Sequence, residues 1–136
     1  MKKEVNIEIT TDSFPKGDEP RHISTKTKGN AFSGEGLLYV TYMENPEEFG
    51  KTTTKVKIKP NRIELIRSGN VDSRLVFCKD IPYEGSYNTP YGSLPLKIRV
   101  TEMSVNADGS SGEIYMNYHL DFAGDITENK FKLKYN

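Results

Sequence analysis

The chain has little cysteine and alanine, no tryptophan, no long apolar run and no net charge. Cys78 is the single cysteine, so no disulfide can form within the chain, and a reducing, cytoplasmic compartment is expected. No apolar run approaches the roughly 18 residues of a membrane-spanning helix, so we expect no membrane partner. Lys2 and Lys3 are followed by alternating residues rather than by an apolar block, which predicts that no secretory signal is present.

Charge balance and composition narrow the class of protein further. The 136 residues include 19 Lys plus Arg and 19 Asp plus Glu, so the formal net charge is zero. Nucleic-acid-binding domains are usually strongly basic, and we therefore expect no nucleic-acid partner. Alanine occurs three times, whereas Val, Ile and Thr together occur 28 times. Because β-branched residues favour strands, length and composition predict one all-β domain over residues 1–136.

Apolar and polar residues alternate along nearly the whole chain, and turn signals interrupt the alternation roughly every 8–14 residues. Breaks are expected at Gly29-Asn30 and at residues 34–36, residues 45–50 are expected to form a loop, and no helix is predicted. The pattern is typical of an antiparallel sandwich or barrel. Sequential hairpins favour an up-and-down β-barrel of about 8–10 strands. The clearest apolar rows are Leu38, Val40 and Tyr42; Leu94, Leu96, Ile98 and Val100; and Ile114, Met116, Tyr118, Leu120 and Phe122.

Polar side chains occur on the inward-facing side of several strands. Glu44 continues the row that contains Tyr42, and Arg67 continues a second apolar row. Tyr118 lies within a third. Because a buried charge needs a partner, Glu44 and Arg67 are predicted to form an ion pair at one end of the interior.

Two interpretations of this polar set stay open. In the functional one, Arg67 holds a carboxylate or phosphate group, helped by the hydroxyl of Tyr42 or Tyr118 and gated by Glu44. In the structural one, which is the commoner situation, Glu44 and Arg67 form a salt bridge that closes the barrel. An eight-stranded barrel is either filled by its own side chains or holds one small ligand, and the sequence does not choose between them.

Two further groups are candidates for surfaces. Odd-numbered lysines share one strand face, and we interpret them as a solvated outer face rather than a phosphate site, because acidic residues lie nearby. Tyr83, Tyr87 and Tyr91 recur every four residues. A stacking platform for a base or sugar is one interpretation, but a tyrosine-rich edge strand that packs on the barrel mouth is favoured. The lysines are Lys51, Lys55, Lys57 and Lys59, and the nearby acids are Glu47, Glu48 and Glu64.

Catalysis has little support in the sequence. His22 and His119 are the only histidines, and neither has a metal-ligand spacing. Nucleophile and nucleotide-binding motifs are absent, and a lone strand cysteine such as Cys78 is usually inert. We therefore expect no enzyme activity, no catalytic residue, no metal and no cofactor.

A set of short motifs occurs in one order along most of the chain. The motifs are Tyr42-x-Glu44 after the strand at 37–40, Lys55-x-Lys57, Arg67-x-Gly69, Phe77, Tyr87-x-Thr89-Pro90-x-Gly92 with Leu94, Thr101, and Tyr118-x-Leu120. Each motif alone is weak, and the ordered set is more specific. In this order the set resembles the YwiB-like family, a domain of unknown function from Bacillus, Clostridium and their relatives.

The resemblance implies a calycin-like β-barrel, the superfamily of lipocalins and fatty-acid-binding proteins, and it implies no established activity. The analogy suggests a small apolar ligand, although fold alone does not determine function. The Arg-x-Tyr anchor that fatty-acid-binding proteins carry near the C-terminus is missing, because residues 132–136 read Lys-Leu-Lys-Tyr-Asn. A long-chain fatty acid is therefore not expected.

Two functions follow as the main hypotheses, and a third, an RNA-associated barrel, rests only on the lysines of residues 51–59. The first is a non-enzymatic cytoplasmic barrel that binds a small, partly apolar or anionic ligand in its interior. The second is a structural or interaction module with a filled barrel, which uses residues 83–91 to pair with another protein or to form a homodimer. An interior cavity of about 300 Å³ or more would favour the first hypothesis.

Overall fold

Strands make up almost the whole chain in the computed structural model, which describes residues 1–70, 72–89 and 92–136. The strong alternation explains this, because a period of two places one face of each strand in the core and the other in water. The strands are β1 Lys2–Pro15, β2 Arg21–Gly34, β3 Leu37–Met43, β4 Thr52–Lys59, β5 Arg62–Gly69, β6 Ser73–Cys78, β7 Tyr83–Thr89, β8 Gly92–Ala107, β9 Gly112–Phe122 and β10 Asp125–Tyr135, and helix α1 spans Pro46–Phe49.

The ten strands form one antiparallel sheet that curls into a nearly closed barrel, so the predicted all-β barrel is confirmed. Their order is β6-β5-β4-β3-β2-β1-β10-β9-β8-β7. Each strand therefore pairs with its neighbour in the chain, except that β1 pairs with β10 and β6 does not pair with β7. The two ends of the order, β6 and β7, lie against each other, and the Tyr83 hydroxyl donates to the Arg74 carbonyl oxygen at 3.3 Å across them.

The inward faces of all ten strands meet in one core cluster, which includes the predicted apolar rows except Leu94. Leu94 is 36% exposed, so its predicted inward position is wrong. Burying each Val, Leu, Ile or Phe side chain contributes about 1.5–3 kcal/mol, so this cluster is the main source of stability. Its most deeply buried members include Ile7, Val40, Val56, Ile63, Phe77, Ile98, Ile114, Met116, Leu133 and Tyr135.

The expected break at Gly29-Asn30 is wrong, because both residues lie within β2 and pair across to β1 and β3. A Cβ atom at Gly29 would lie 2.1 Å from the carbonyl oxygen of Thr41 and 2.6 Å from Cδ1 of Ile7. Glycine is therefore required here for close packing between strands rather than for a turn. The other expected break is confirmed, since Glu35 and Gly36 connect β2 to β3.

Two local features were not predicted from the sequence, namely a short helix within the expected loop at residues 45–50 and a bulge in β8. Residues 46–49 form the single turn of α1, because Asn45 Oδ1 accepts a hydrogen bond from the Glu47 backbone nitrogen at 3.0 Å and Pro46 occupies the first turn. Strand β8 continues well beyond Val100 through a register shift between Val100 and Glu102. This bulge moves the inward face from even-numbered to odd-numbered residues, so Met103 and Val105 rejoin the core.

No helix in the described ranges is long and apolar enough to cross a membrane.

Candidate functional site

A row of polar side chains crosses four adjacent strands on the inner face of the barrel. Tyr42 of β3 pairs in register with Thr54 of β4, Thr54 pairs with Arg67 of β5, and Arg67 pairs with Ser73 of β6. Because residues opposite each other in antiparallel strands point to the same side, this register brings all four together. Glu44 follows β3 at the same end of the barrel, where its backbone nitrogen donates to the carbonyl oxygen of Thr52 at 2.9 Å.

The two charges of this polar cluster form an ion pair. Arg67 Nε lies 3.6 Å from Glu44 Oε1, and the same carboxylate oxygen accepts a hydrogen bond from the Thr54 hydroxyl at 2.6 Å. The Arg67 side chain is 22% exposed and that of Glu44 is 12% exposed. Both charges are therefore largely withdrawn from water, and the Glu44 carboxylate is compensated by Arg67 and by the Thr54 hydroxyl.

Tyr118 approaches Arg67 from β9. Its ring packs edge-on against Phe77, with ring centroids 4.8 Å apart. Burial raises the pKa of the Tyr118 hydroxyl to about 12, although the nearby Arg67 charge acts in the opposite direction. Burial and then the Glu44 charge raise the pKa of the Tyr42 hydroxyl well above its ordinary value. Both phenols therefore stay protonated at neutral pH and act as hydrogen-bond donors.

Alkaline pH is expected to destabilise the fold through Tyr118. The pKa of Tyr118 is about 12 in the folded chain against an ordinary value of 10.0. The contribution of the protonated hydroxyl to the free energy of unfolding is therefore complete below pH 10, and it is lost as the pH rises toward 12. The loss amounts to about 2–3 kcal/mol. Urea unfolding followed from pH 8 to pH 12 measures it.

The control is Tyr118→Phe, which has no ionisable group at this position. Its free energy of unfolding should fall less steeply between pH 10 and pH 12 than that of the parent chain. Equal slopes for the two chains would show that Tyr118 does not titrate with a raised pKa.

Thr54 and Ser73 belong to the cluster, although the sequence did not mark them as site residues. Thr54 is fully buried, and the Ser73 hydroxyl is buried without a hydrogen-bond partner among the described residues. Thr54 carried one usable signal, its inward parity in the row that leads to Val56. Ser73 carried none, because its place beside Arg67 depends on the pairing of β5 with β6.

The tyrosine segment of β7 lies partly on the core side. Tyr83 and Tyr87 are half-buried and pack against the core cluster, with the Tyr87 ring 5.8 Å from that of Phe122. The Tyr83 ring lies over Gly85, where a Cβ atom would come within 2.6 Å of the Tyr83 hydroxyl oxygen. Tyr91 lies outside the described residues.

Completely buried apolar side chains lie in the barrel interior near the polar cluster. Val40, Val56, Ile63 and Met116 are completely buried, and they belong to the same core cluster as Tyr42. Two hollows of about 430 and 400 Å³ are open to solvent, and none of the four predicted site residues lines either of them. Within the described ranges, no three His, Cys, Asp or Glu side chains come close enough to hold a metal ion.

Fold and site together define a class, namely a ten-stranded antiparallel β-barrel with a compensated charge pair and protonated tyrosines at one end. Such a cluster can close the barrel, or it can accept a small anion in place of the Glu44 carboxylate.

The chain belongs to the domain of unknown function DUF1934, whose family model matches residues 7–134. Its fold is similar to the crystal structure of the ywiB protein from Bacillus subtilis, with a TM-score of 0.88 and 21% sequence identity. That match covers 99% of this chain and 92% of the other. No curated protein matches the chain. The predicted family is thereby confirmed, and the likeness to the solved structure concerns the fold alone.

Proposed function

We propose that this protein is a non-enzymatic binding barrel that takes a small anionic ligand at the Arg67 end. The observation that carries the proposal is the convergence of a largely buried guanidinium and two protonated tyrosines, Tyr42 and Tyr118, on one point inside the barrel. Arginine and tyrosine hydroxyls are the donors that carboxylate and phosphate groups prefer.

The ligand is small and polar on this proposal. Buried apolar side chains surround the interior side of the polar cluster, and none of the described hollows of about 300 Å³ or more is lined by Arg67, which argues against a long apolar tail of the lipocalin or fatty-acid type. An anion would contact Arg67 by displacing Glu44, whose ion-pair distance of 3.6 Å is longer than that of a good charge-assisted hydrogen bond. Glu44 thereby serves as the resident carboxylate that the ligand replaces.

Phosphate and acetate titrations followed by NMR test the proposal on the whole chain. The Arg67 Nε–Hε signal should move saturably with at least one of these anions, and it should not move with chloride at equal ionic strength. Arg67→Leu should weaken binding by about 10–100-fold, because a hydrogen bond to a charged group is lost.

Arg99→Leu is the matched control, since Arg99 is exposed on β8. This variant should bind as tightly as the parent chain. A signal of Arg67 that stays fixed at millimolar phosphate and acetate would refute anion binding at this end.

The continuous buried core also supports the alternative, a structural or interaction module with no small-molecule ligand. Ile81 and Leu94 are exposed beside β7, an end strand of the sheet order, at 65% and 36%. A partner protein or a second copy of the chain would cover them. A titration without anion binding, combined with a concentration-dependent dimer in sedimentation that Ile81→Lys disrupts, would favour this second function.

A further inference from the structure

The outer face of the barrel carries an aromatic pair between lysines. Phe32 of β2 and Tyr39 of β3 are opposite each other in register, and their rings stack with centroids 4.7 Å apart and planes inclined by 17°. Both point outward, because Ala31 and Val40 beside them in sequence are completely buried. We call Phe32 and Tyr39 the aromatic platform.

Lysines stand on both sides of the aromatic platform. Lys2 Nζ lies 5.7 Å from the centre of the Phe32 ring, and Lys55 Nζ lies 4.6 Å from that of Tyr39. Lys57 is exposed opposite Tyr39 in the next strand. Lys55 and Lys57 of β4 therefore lie beside the two aromatic rings on the same outer surface.

Of the three acidic residues expected to weaken this field, Glu64 is already compensated. Glu64 pairs in register with Lys57, but its Oε1 accepts hydrogen bonds from Arg62 Nη2 and Arg74 Nη2, each at 2.8 Å. The hydrogen bond from Arg62, and then the charge and hydrogen bond of Arg74, lower the pKa of Glu64 despite its burial. Two arginines against one carboxylate leave the surface beside Lys57 positive.

Two hollows flank Tyr39. One, of about 320 Å³, is lined by Met1, Phe32, Glu35 and Leu37 among others, and it includes the Tyr39 ring. The other, of about 270 Å³, lies between Tyr39 and the lysines of β4. Leu37 lines both hollows and is 57% exposed. Each hollow is at the small end of ligand-site volumes, which suits one planar ring better than a large ligand.

We propose that the aromatic platform and its lysines bind single-stranded nucleic acid, with bases stacked on Phe32 and Tyr39 and phosphates held by Lys2, Lys55 and Lys57. Stacked bases and a positive groove along the backbone are the two elements of such binding. An exposed lysine–ring contact is weaker than the stacking of a base on the same ring. Bases on Phe32 and Tyr39 therefore displace Lys2 and Lys55 from the rings toward phosphates. The zero net charge of the whole chain argued against nucleic acid, but this face places Lys2, Lys55 and Lys57 beside two aromatic rings.

Fluorescence anisotropy with a labelled 12-nucleotide single-stranded RNA tests the proposal on the full chain. The expected result is saturable binding that weakens with salt and that exceeds binding to a duplex of the same length. Phe32→Thr/Tyr39→Thr, which keeps β-forming residues on both strands, should weaken binding by about 10–100-fold. Lys55→Gln/Lys57→Gln should weaken it and reduce the dependence of log K on log salt by about 0.7 for each lysine that contacts a phosphate.

Phe14→Thr is the matched control, because Phe14 is 40% exposed on β1 and Lys130 Nζ lies 5.8 Å from its ring centre. This variant should bind as the parent chain does. Thermal melts identify any variant that fails to fold. If a variant fails to fold, the changes in amide chemical shifts that the RNA causes in the parent chain test the proposal instead. Changes confined to the outer positions of β2, β3 and β4 support the proposal.

Three results would overturn it. One is the absence of binding at low salt. Another is equal affinity for the single strand, the duplex and heparin, together with no loss of affinity in the Phe32→Thr/Tyr39→Thr variant. That result would show that binding depends on charge alone. A third is a set of amide chemical shift changes around Arg67 when the RNA is added. Arg67 lies on the inner face, so such changes would indicate the anion site of the proposed function and not the aromatic platform.

Discussion

Glu44→Leu is expected to lower the free energy of unfolding by about 3–4 kcal/mol. The substitution leaves the Arg67 charge, whose side chain is 22% exposed, without its carboxylate, and it leaves the buried Thr54 hydroxyl without its acceptor. Breaking a largely buried pair by removing one partner is costly because the remaining charge stays desolvated, and an unsatisfied buried hydroxyl adds to that cost. Urea unfolding at pH 7 measures the difference.

The triple variant Glu44→Leu/Thr54→Val/Arg67→Leu is the informative control. It removes both charges and the hydroxyl together, and it should regain most of the lost stability because apolar residues of similar size replace the cluster. Such a chain is folded but lacks the anion anchor, so it should show no saturable response to phosphate or acetate. A single Glu44→Leu variant as stable as the parent would mean that the ion pair does not contribute to stability.

Gly29→Ala is expected to cost more than about 3 kcal/mol and to lower the melting temperature by about 10 °C or more. The new Cβ atom would lie 2.1 Å from the backbone oxygen of Thr41, which cannot move without shifting β3, and 2.6 Å from Cδ1 of Ile7. Strand β3 carries Tyr42, which pairs in register with Gly29. The substitution should therefore also disturb the NMR signals of the polar cluster.

Gly17→Ala separates steric crowding from backbone conformation. Gly17 has φ of 83° in the turn between β1 and β2, and a Cβ atom there would meet nothing within 4 Å. Its cost should be only about 1 kcal/mol, the strain of a left-handed conformation. Equal costs at the two positions would contradict the close approach of β2 and β3 at Gly29.

Alternation predicted the inward faces well where a strand is regular. Leu96 and Ile98 of β8, and Ile114 and Met116 of β9, are all buried as expected. No inward row was predicted beyond Val100, where the bulge adds a residue and reverses the parity, so that Met103 and Val105 face the core. The sequence does carry a signal for this bulge, because the apolar positions change from even numbers up to Val100 to odd numbers at Met103 and Val105.

The candidate site was only partly predictable. Parity placed Glu44 and Arg67 on one side of the barrel, and the two residues form an ion pair. Parity did not predict that Thr54 shares the Glu44 oxygen. Nor did it predict that Phe32 and Tyr39 stack. Each of these contacts joins two strands, and it depends on which residues are opposite each other.

The sequence by itself determined the all-β class, the near-continuous series of hairpins and the direction in which most side chains point, because a period of two is a local property of each strand. Only the tertiary structure decided the register between strands. Backbone hydrogen bonds are the same for every residue, so turns, bulges and core packing select the pairing. That pairing made Gly29 a point of close contact, completed the Arg67 cluster and assembled the aromatic platform on the outer face.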